Sequence, residues 1–238
     1  MEDDQYLDSL RAESAALLAA AHRAGRDAAV PGCPGWTTED LVWHIGEVHD
    51  FWGTVVAERM TDPRSYQEPE RPTGSEEVRQ FAEASAARLI DALERTDVST
   101  PVWTWTSRQD VGFVRRRMAH ETAVHRVDAE RAAGGEHRLD PALAADGIDE
   151  FLAHFRLRVG DDAPTVDGSV HLHCTDVEGE WVVRDDVVTR EHAKGDAAIR
   201  GSAHDVLMVL WRRQPLDSVD VVGDGAVAER FVARPNLR

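Results

Sequence analysis

Two residues with metal-binding side chains, Glu121 and His125, are four positions apart in a segment whose apolar spacing is typical of a helix. At about 100° per residue, they lie roughly 40° apart on one helical face. The apolar face that begins with Val114 and Met118 continues through this pair, so a carboxylate and an imidazole occupy the buried side. Burying such groups unpaired is unfavourable. The pattern therefore predicts a metal ion or a dense hydrogen-bond network.

The same segment places His120 directly before Glu121, which suggests the His-Glu-x-x-His signature of zinc proteases. Here three residues, rather than two, separate Glu121 from His125. His120 and His125 are about 140° apart around the helix, so they cannot both bind one ion. The spacing excludes the protease interpretation.

A third ligand can come from another helix. His44 lies in the apolar stripe of a helix that Thr37 can cap, with Asp40 at the third position. A histidine in such a stripe is also compatible with a hydrogen-bonded core residue. Two imidazoles and one carboxylate leave a coordination position open, which is typical of catalytic metal sites. Asp128 is a candidate to orient His125 from behind.

The composition is that of a globular protein. The 238 residues are 42% hydrophobic and 30% charged, with a formal net charge of −17. This charge disfavours nucleic acid and anionic membranes, and no apolar run approaches the roughly 20 residues of a transmembrane helix. The acidic start and the two cysteines indicate neither a secretory signal nor a disulfide framework. We therefore expect a cytoplasmic monomer or weak homodimer whose partners are small molecules.

The predicted elements divide the chain into two domains, residues 1–137 and 138–238, and indicate an α+β protein. The first domain contains four amphipathic helices, which predicts a four-helix bundle. They cover about 20 residues ending near position 25, the segment after position 37, and about 75–95 and 111–133. We expect a solvated helix start for at least one of the three arginines at 115–117.

The second domain is predicted to be a small α/β unit. We expect helices at about 140–159, at 206–213 behind a start framed by Ser202 and Asp205, and after 224. Strands are expected at 170–173, 181–183, 187–189 and 219–222. His171 and His173 alternate on a predicted strand and therefore share a face. Because the sequence shows no third partner for them, we interpret them as non-ligands.

The chain resembles the mycothiol-dependent maleylpyruvate isomerase family of actinobacteria, whose N-terminal part belongs to the DinB-like metal-binding bundles. The resemblance extends over nearly the whole chain. It rests on Pro34-Gly35-Trp36-Thr37 leading into His44, on Arg117 through His120-Glu121 and His125-Arg126-Val127-Asp128, and on Gly195-Asp196 through Gly201-Ser202 to Leu210-Trp211-Arg212-Arg213 and Val222-Gly223-Asp224.

This resemblance implies a divalent metal, usually zinc, held by His44, Glu121 and His125. It also implies a C-terminal domain similar to sterol-carrier proteins, which contributes an arginine implicated in catalysis. Arg213 matches that position, with Arg212 as the alternative, and an arginine that interacts with a helix dipole is the other interpretation. The cofactors implied are the metal and mycothiol.

We therefore expect an enzyme that uses mycothiol at the open metal position, where the cation favours the thiolate. Addition of sulfur to an activated C=C bond, rotation and elimination would give cis–trans isomerisation, and the same thiolate could act in an S-transferase. A metal-binding module without turnover is the alternative. Non-haem iron oxygenation is a third hypothesis, since two histidines and a carboxylate also suit ferrous iron. The ligand set leaves the acceptor unspecified.

Overall fold

The chain folds as an α+β protein, as predicted, with helices and one mixed sheet. The computed structural model describes residues 1–135, 138–185 and 187–237. By its internal contacts the chain divides into two compact units, Met1–His137 and Arg138–Arg238. Within the described ranges, no helix combines the length and apolar character that a membrane span requires.

The first unit is a helical bundle. Its described part contains α1 (Asp3–Ala24), α2 (Thr38–Ala57), α3 (Ser75–Arg95) and α4 (Val111–Ala132). Helix α1 packs mainly against α4, and α2 packs mainly against α3 while also contacting α4. The four helices agree closely with those predicted from the apolar periodicity.

The start of α2 is set by a reciprocal cap. The Thr37 hydroxyl accepts a hydrogen bond from the Asp40 N–H at 3.2 Å, and Asp40 Oδ2 accepts one from the Thr37 N–H at 2.9 Å. Hydrogen bonds from the Thr37 backbone and hydroxyl, together with Arg71, lower the pKa of Asp40 to about 2. Because the cap determines where the helix begins, it also determines the face on which His44 lies, two turns later.

Close approach of α2 to α3 depends on glycine. A Cβ at Gly46 would lie 3.1 Å from the Ala82 Cα, and one at Gly53 would lie 3.3 Å from the Leu89 Cα. These distances are tighter than ordinary van der Waals contacts, so the two helices pack almost backbone to backbone.

Helix α4 is buried on nearly every side. Val114 and Met118 lie in the core, but so do Arg115 and Arg117, while Arg116 is partly exposed. Arg115 reaches across to α3, where its Nη2 donates to the Leu93 carbonyl at 2.5 Å. The expectation that at least one of the three arginines is solvated therefore rests on Arg116, since Arg115 and Arg117 are buried.

The second unit combines helices with a sheet in its described part. Its elements are α5 (Pro141–Glu150), a π-helical turn (Phe151–Phe155), β1 (Ser169–Cys174), β2 (Glu180–Arg184), β3 (Val187–Thr189), β4 (Ala197–Gly201), α6 (Ala203–Leu210), β5 (Asp220–Gly223) and α7 (Gly225–Ala233). The five-stranded sheet formed by these residues has the order β3-β2-β1-β4-β5. Strand β1 pairs antiparallel with β2 and parallel with β4, and β5 pairs antiparallel with β4.

Three details of the second unit differ from the predictions. Strand β4 was not predicted, because Ile199 is its sole β-branched residue and pairing with β1 and β5 decides its conformation. The helix predicted to reach position 159 gives way to a π-helical turn after Glu150. The helix predicted to start at Ser202 and Asp205 does begin after a Ser202 cap, at Ala203, but it ends at Leu210 rather than at 213, and Arg212 has a positive φ of 55° that is incompatible with its continuation.

Candidate metal centre

Three side chains converge between α2 and α4 of the bundle. Oε1 of Glu121 lies 3.5 Å from Nε2 of His44 and 3.3 Å from Nε2 of His125. The two imidazole rings are nearly perpendicular, with centroids 5.1 Å apart. In a tetrahedral zinc site with bonds of about 2.0–2.1 Å, neighbouring ligand atoms are roughly 3.3–3.4 Å apart. The measured spacing therefore suits one divalent cation.

The geometry follows from local helix periodicity and one long-range contact. Glu121 and His125 are adjacent on one face of α4 because they are one helical turn apart. His44 is brought to them by the packing of α2 against α4. The structure thus brings together all three residues that the sequence analysis selected as metal ligands.

The second oxygen of Glu121 is engaged by Arg117. The guanidinium of this buried arginine, one turn earlier on α4, forms an ion pair with Oε2 and leaves Oε1 facing the two imidazoles. Glu121 is therefore arranged to bind a cation through one oxygen. The four-residue spacing between Arg117 and Glu121 is the signal in the sequence that indicates such a pair.

The far side of His125 is held by Asp128. Nδ1 of His125 lies 3.0 Å from Oδ2 of Asp128, whose side chain is completely buried. The same carboxylate oxygen accepts a hydrogen bond from Cys33 Sγ at 3.5 Å. With Nδ1 donating to a carboxylate, the lone pair of the neutral ring is on Nε2 and faces Glu121. This is the orienting contact expected for Asp128.

Trp36 covers one side of the centre. Its ring lies 4.9 Å from the His44 ring and is stacked at 6.3 Å on that of His125, centroid to centroid. The His44 side chain is 32% exposed, against 8% for His125, so solvent reaches the centre from the α2 side. A small molecule can therefore approach the centre past His44.

Two further histidines of the bundle take other positions. His49 is buried and its Nε2 lies 2.8 Å from Oγ1 of Thr122. Burial lowers the pKa of His49 to about 3, assisted by the positive charges that His44 and His125 can carry. His120 is also buried, with its ring edge-on to Tyr6. Both are thus interior residues of the bundle.

The two candidate arginines lie in the second unit, directly after α6. Arg213 is partly buried; its backbone N–H donates to the Met208 carbonyl at 2.8 Å and its Nη1 donates to the Trp211 carbonyl at 3.1 Å. The guanidinium of Arg212 hydrogen-bonds the Pro235 carbonyl near the end of the chain. Neither arginine is on the helix body predicted for it, because α6 ends at Leu210.

Comparison with known proteins assigns both parts of the chain. Residues 7–130 match the mycothiol maleylpyruvate isomerase N-terminal domain, and residues 142–230 match the C-terminal domain of the same family. A comparison with curated proteins gives no match. Two solved structures are similar, the mycothiol-dependent maleylpyruvate isomerase (TM-score 0.64) and a histidine-to-alanine variant of it (TM-score 0.66). Each is 14% identical to this chain over 93% of both chains, so the likeness concerns the fold.

The two domain matches follow one another in the chain, cover most of it, and fall on the two compact units. Together with the shared fold, they show that the chain belongs to the mycothiol maleylpyruvate isomerase family.

Proposed function

We propose that this protein is a metal-dependent enzyme that uses mycothiol to isomerise a small cis-unsaturated acid of the maleylpyruvate type, or to transfer the thiol to a related electrophile. His44, Glu121 and His125 hold the metal, and zinc is the first candidate. The observation that carries the proposal is the approach of two imidazole nitrogens to one carboxylate oxygen, at 3.5 and 3.3 Å. Membership of the family supports the thiol cofactor.

The chemistry requires a nucleophilic sulfur at neutral pH. A divalent cation at this centre supplies a positive charge that favours the thiolate form of a thiol. Mycothiol bound there would supply the sulfur for reversible addition to a C=C bond conjugated with a carbonyl, and its elimination after rotation about the resulting single bond would restore both the double bond and the thiol. No co-reactant is consumed by the isomerisation.

The chain's own residues prepare the centre for this reaction. The Asp128 carboxylate accepts a hydrogen bond from Nδ1–H of His125, and so keeps Nε2 available for the cation. Arg117 neutralises one oxygen of Glu121 and limits that carboxylate to a single ligating atom. Trp36 covers the two imidazoles and reduces the access of water. Each contact lowers the reorganisation that binding would otherwise need.

The second unit is proposed to provide a cation for an acidic acceptor. Arg213 is the candidate because it matches the position of the family's arginine; each guanidinium also donates to a backbone carbonyl, that of Trp211 for Arg213 and that of Pro235 for Arg212. An arginine suits this role because its planar guanidinium binds a carboxylate through two parallel hydrogen bonds. In this proposal residues 1–137 form the DinB-like metal-binding bundle, and residues 138–238 form the domain similar to sterol-carrier proteins.

The first experiment measures metal content and turnover in untagged protein. We expect His44→Ala and Glu121→Gln to lose the metal of the bundle and to reduce mycothiol-dependent isomerisation of maleylpyruvate at least 100-fold. His22→Ala and Glu83→Gln, which change exposed side chains on α1 and α3, are the matched controls and should behave like the wild type. Full retention of this metal in both test variants would refute the ligand assignment.

A second experiment separates the alternatives. Calorimetric titration with mycothiol, with and without metal, is expected to show binding in the metal-loaded form alone. Absence of binding in that form would instead favour a metal-binding module without turnover. Product analysis then distinguishes the two reactions, because an isomerase returns mycothiol unchanged whereas an S-transferase converts it into a thioether.

A further inference from the structure

The second unit contains a cluster of three histidines and one glutamate that has no part in the proposed reaction. Its members are His171 and His173 on β1, Glu180 at the start of β2, and His192 in the segment between β3 and β4. Each offers one ligating atom, and these atoms all lie within 4.8 Å of one another. From the sequence alone His171 and His173 have no visible third partner, so the sequence predicts that they are not ligands; Glu180 and His192 are the partners that the fold adds.

Sheet register explains why the cluster forms. His171 and His173 are two positions apart on β1 and therefore share a face of the sheet. In the antiparallel pairing of β1 with β2, His173 is directly opposite Glu180. Side chains of directly opposed residues lie on the same face, so the carboxylate joins the two imidazoles. The chain after β3 then returns over this face and adds His192.

The contacts within the cluster centre on the carboxylate. Nδ1 of His173 lies 2.5 Å from Oε1 of Glu180, and Nδ1 of His192 lies 2.7 Å from Oε2. The three imidazole centroids are between 5.6 and 6.3 Å apart. Three imidazoles thus surround one carboxylate on a single face, whereas a surface histidine normally has water as its main partner.

One nitrogen of this cluster lacks a partner. Nε2 of His171 is buried and makes no hydrogen bond within the described residues; Oε2 of Glu180, at 3.9 Å, is beyond hydrogen-bonding distance. The His171 residue is 9% exposed, so water does not readily compensate. A buried nitrogen without a partner is unfavourable. Because three other potential metal ligands lie beside it, a cation bound among the four side chains is a suitable partner.

We propose that His171, His173, Glu180 and His192 form a second divalent-metal site, with zinc as the expected ion. Three neutral imidazoles and one carboxylate are a donor set that zinc binds with tetrahedral geometry. A bound cation would replace the two histidine–carboxylate hydrogen bonds and would give Nε2 of His171 a partner. Contraction of the cluster is feasible because the His192 side chain is 81% exposed and lies outside the strands.

Four protein ligands close a tetrahedral shell, so this site is structural. It differs in this respect from the centre in the bundle, whose three ligands leave a position open. The second site joins the segment that follows β3 to the β1–β2 hairpin. Metal bound there stabilises the second unit, since the unfolded chain does not hold the four ligands together.

The test counts metal ions in a background that lacks the centre of the bundle. Untagged protein carrying His44→Ala is stripped with a chelator, equilibrated with micromolar Zn²⁺, and analysed for bound zinc. We expect one equivalent, which is lost when His192→Ala or Glu180→Gln is added. Glu178→Gln changes an exposed carboxylate of the same hairpin and is the matched control for Glu180→Gln.

Two readouts complete the experiment. Cobalt(II), used as a spectroscopic probe in the same background, should give the visible absorption of a tetrahedral site, and His192→Ala should abolish it. Zinc should also raise the melting temperature of the His44→Ala protein by several degrees, and this increase should vanish with His192→Ala. Because His192 lies in the second unit, the loss of zinc caused by His192→Ala reports the second site whether or not the bundle of the His44→Ala protein retains a metal.

The proposal is overturned if the His44→Ala protein binds no zinc at micromolar concentration. It is also overturned if the bound zinc is unaffected by both His192→Ala and Glu180→Gln. In either case the cluster is a hydrogen-bonded group around Glu180 and does not bind a cation. Because the His192 side chain is exposed, we expect the His192→Ala protein to fold, so that a loss of zinc reports the missing ligand. Circular dichroism of the variant verifies the folding.

Discussion

Replacement of Asp128 by asparagine tests the orientation of His125. The substitution preserves the shape of the side chain but removes the negative charge of the carboxylate, whose Oδ2 lies 3.0 Å from Nδ1 of His125 and accepts its hydrogen bond. A hydrogen bond to a buried charged group contributes about 1.5–3 kcal/mol. Loss of a carboxylate behind a metal-binding histidine typically weakens metal affinity 10- to 100-fold, or about 1.4–2.8 kcal/mol. We therefore expect Asp128→Asn to raise the zinc dissociation constant of the bundle by that factor.

The assay is competition between the protein and a chromogenic chelator at neutral pH. It is made in the His192→Ala background, so that zinc bound by the second unit does not contribute. His125→Ala provides the value for loss of a ligand, and Asp91→Asn, which changes an exposed carboxylate on α3, provides the control. The reference is the protein that carries His192→Ala alone. The orienting role would be refuted if adding Asp128→Asn changed the zinc affinity less than twofold and left the melting temperature unchanged.

Three other predictions concern pH and packing. Zinc affinity of the bundle should fall as the pH is lowered from 8 to 5, because protons compete with the cation for the two imidazoles, and titrations over that range measure this. The pKa of Asp40 is about 2 in the folded protein, below its ordinary value of 3.8. The ionised Asp40 carboxylate therefore stabilises the fold fully above pH 3.8, and this stabilisation is lost as the pH falls towards 2. For this partly exposed group we expect a contribution of about 1 kcal/mol. Asp40→Asn should therefore lower the free energy of unfolding in urea by about that amount at pH 7, and by much less near pH 2, where the Asp40 carboxylate is itself becoming protonated. Gly46→Ala should destabilise the protein by about 1 kcal/mol despite the better helix propensity of alanine, because the new Cβ meets Ala82. Gly225→Ala is the control and should not destabilise the protein, because a Cβ at that position has no neighbour within 4 Å. A Gly46→Ala protein that is more stable than the wild type would contradict the packing argument.

The bundle was predictable because its signals are local. Apolar periodicity marked the four helices, and the Thr37 and Asp40 pair marked the start of α2. The spacing of Glu121 and His125 within one helix was enough to place them side by side. Helical geometry relates residues three or four positions apart, so such relations can be inferred without a structure.

Burial and strand pairing were harder to infer. The run of three arginines at 115–117 is typical of a solvated helix start, but Arg115 and Arg117 are buried because α4 is surrounded by the rest of the bundle. Strand β4 has little intrinsic β propensity and owes its conformation to its neighbours. Periodicity reports which face of an element is apolar, and it does not report how many sides of that element are covered.

The amino-acid sequence alone determined the family, the α+β class, and the helical face on which Glu121 and His125 lie together. Only the tertiary structure decided the distance of His44 from that pair and the gathering of Glu180 and His192 around the two histidines of β1. The physical reason is the range of the interactions. A helical turn relates neighbours in the chain, whereas helix packing and strand register join residues far apart in sequence, and these depend on the fit of whole surfaces.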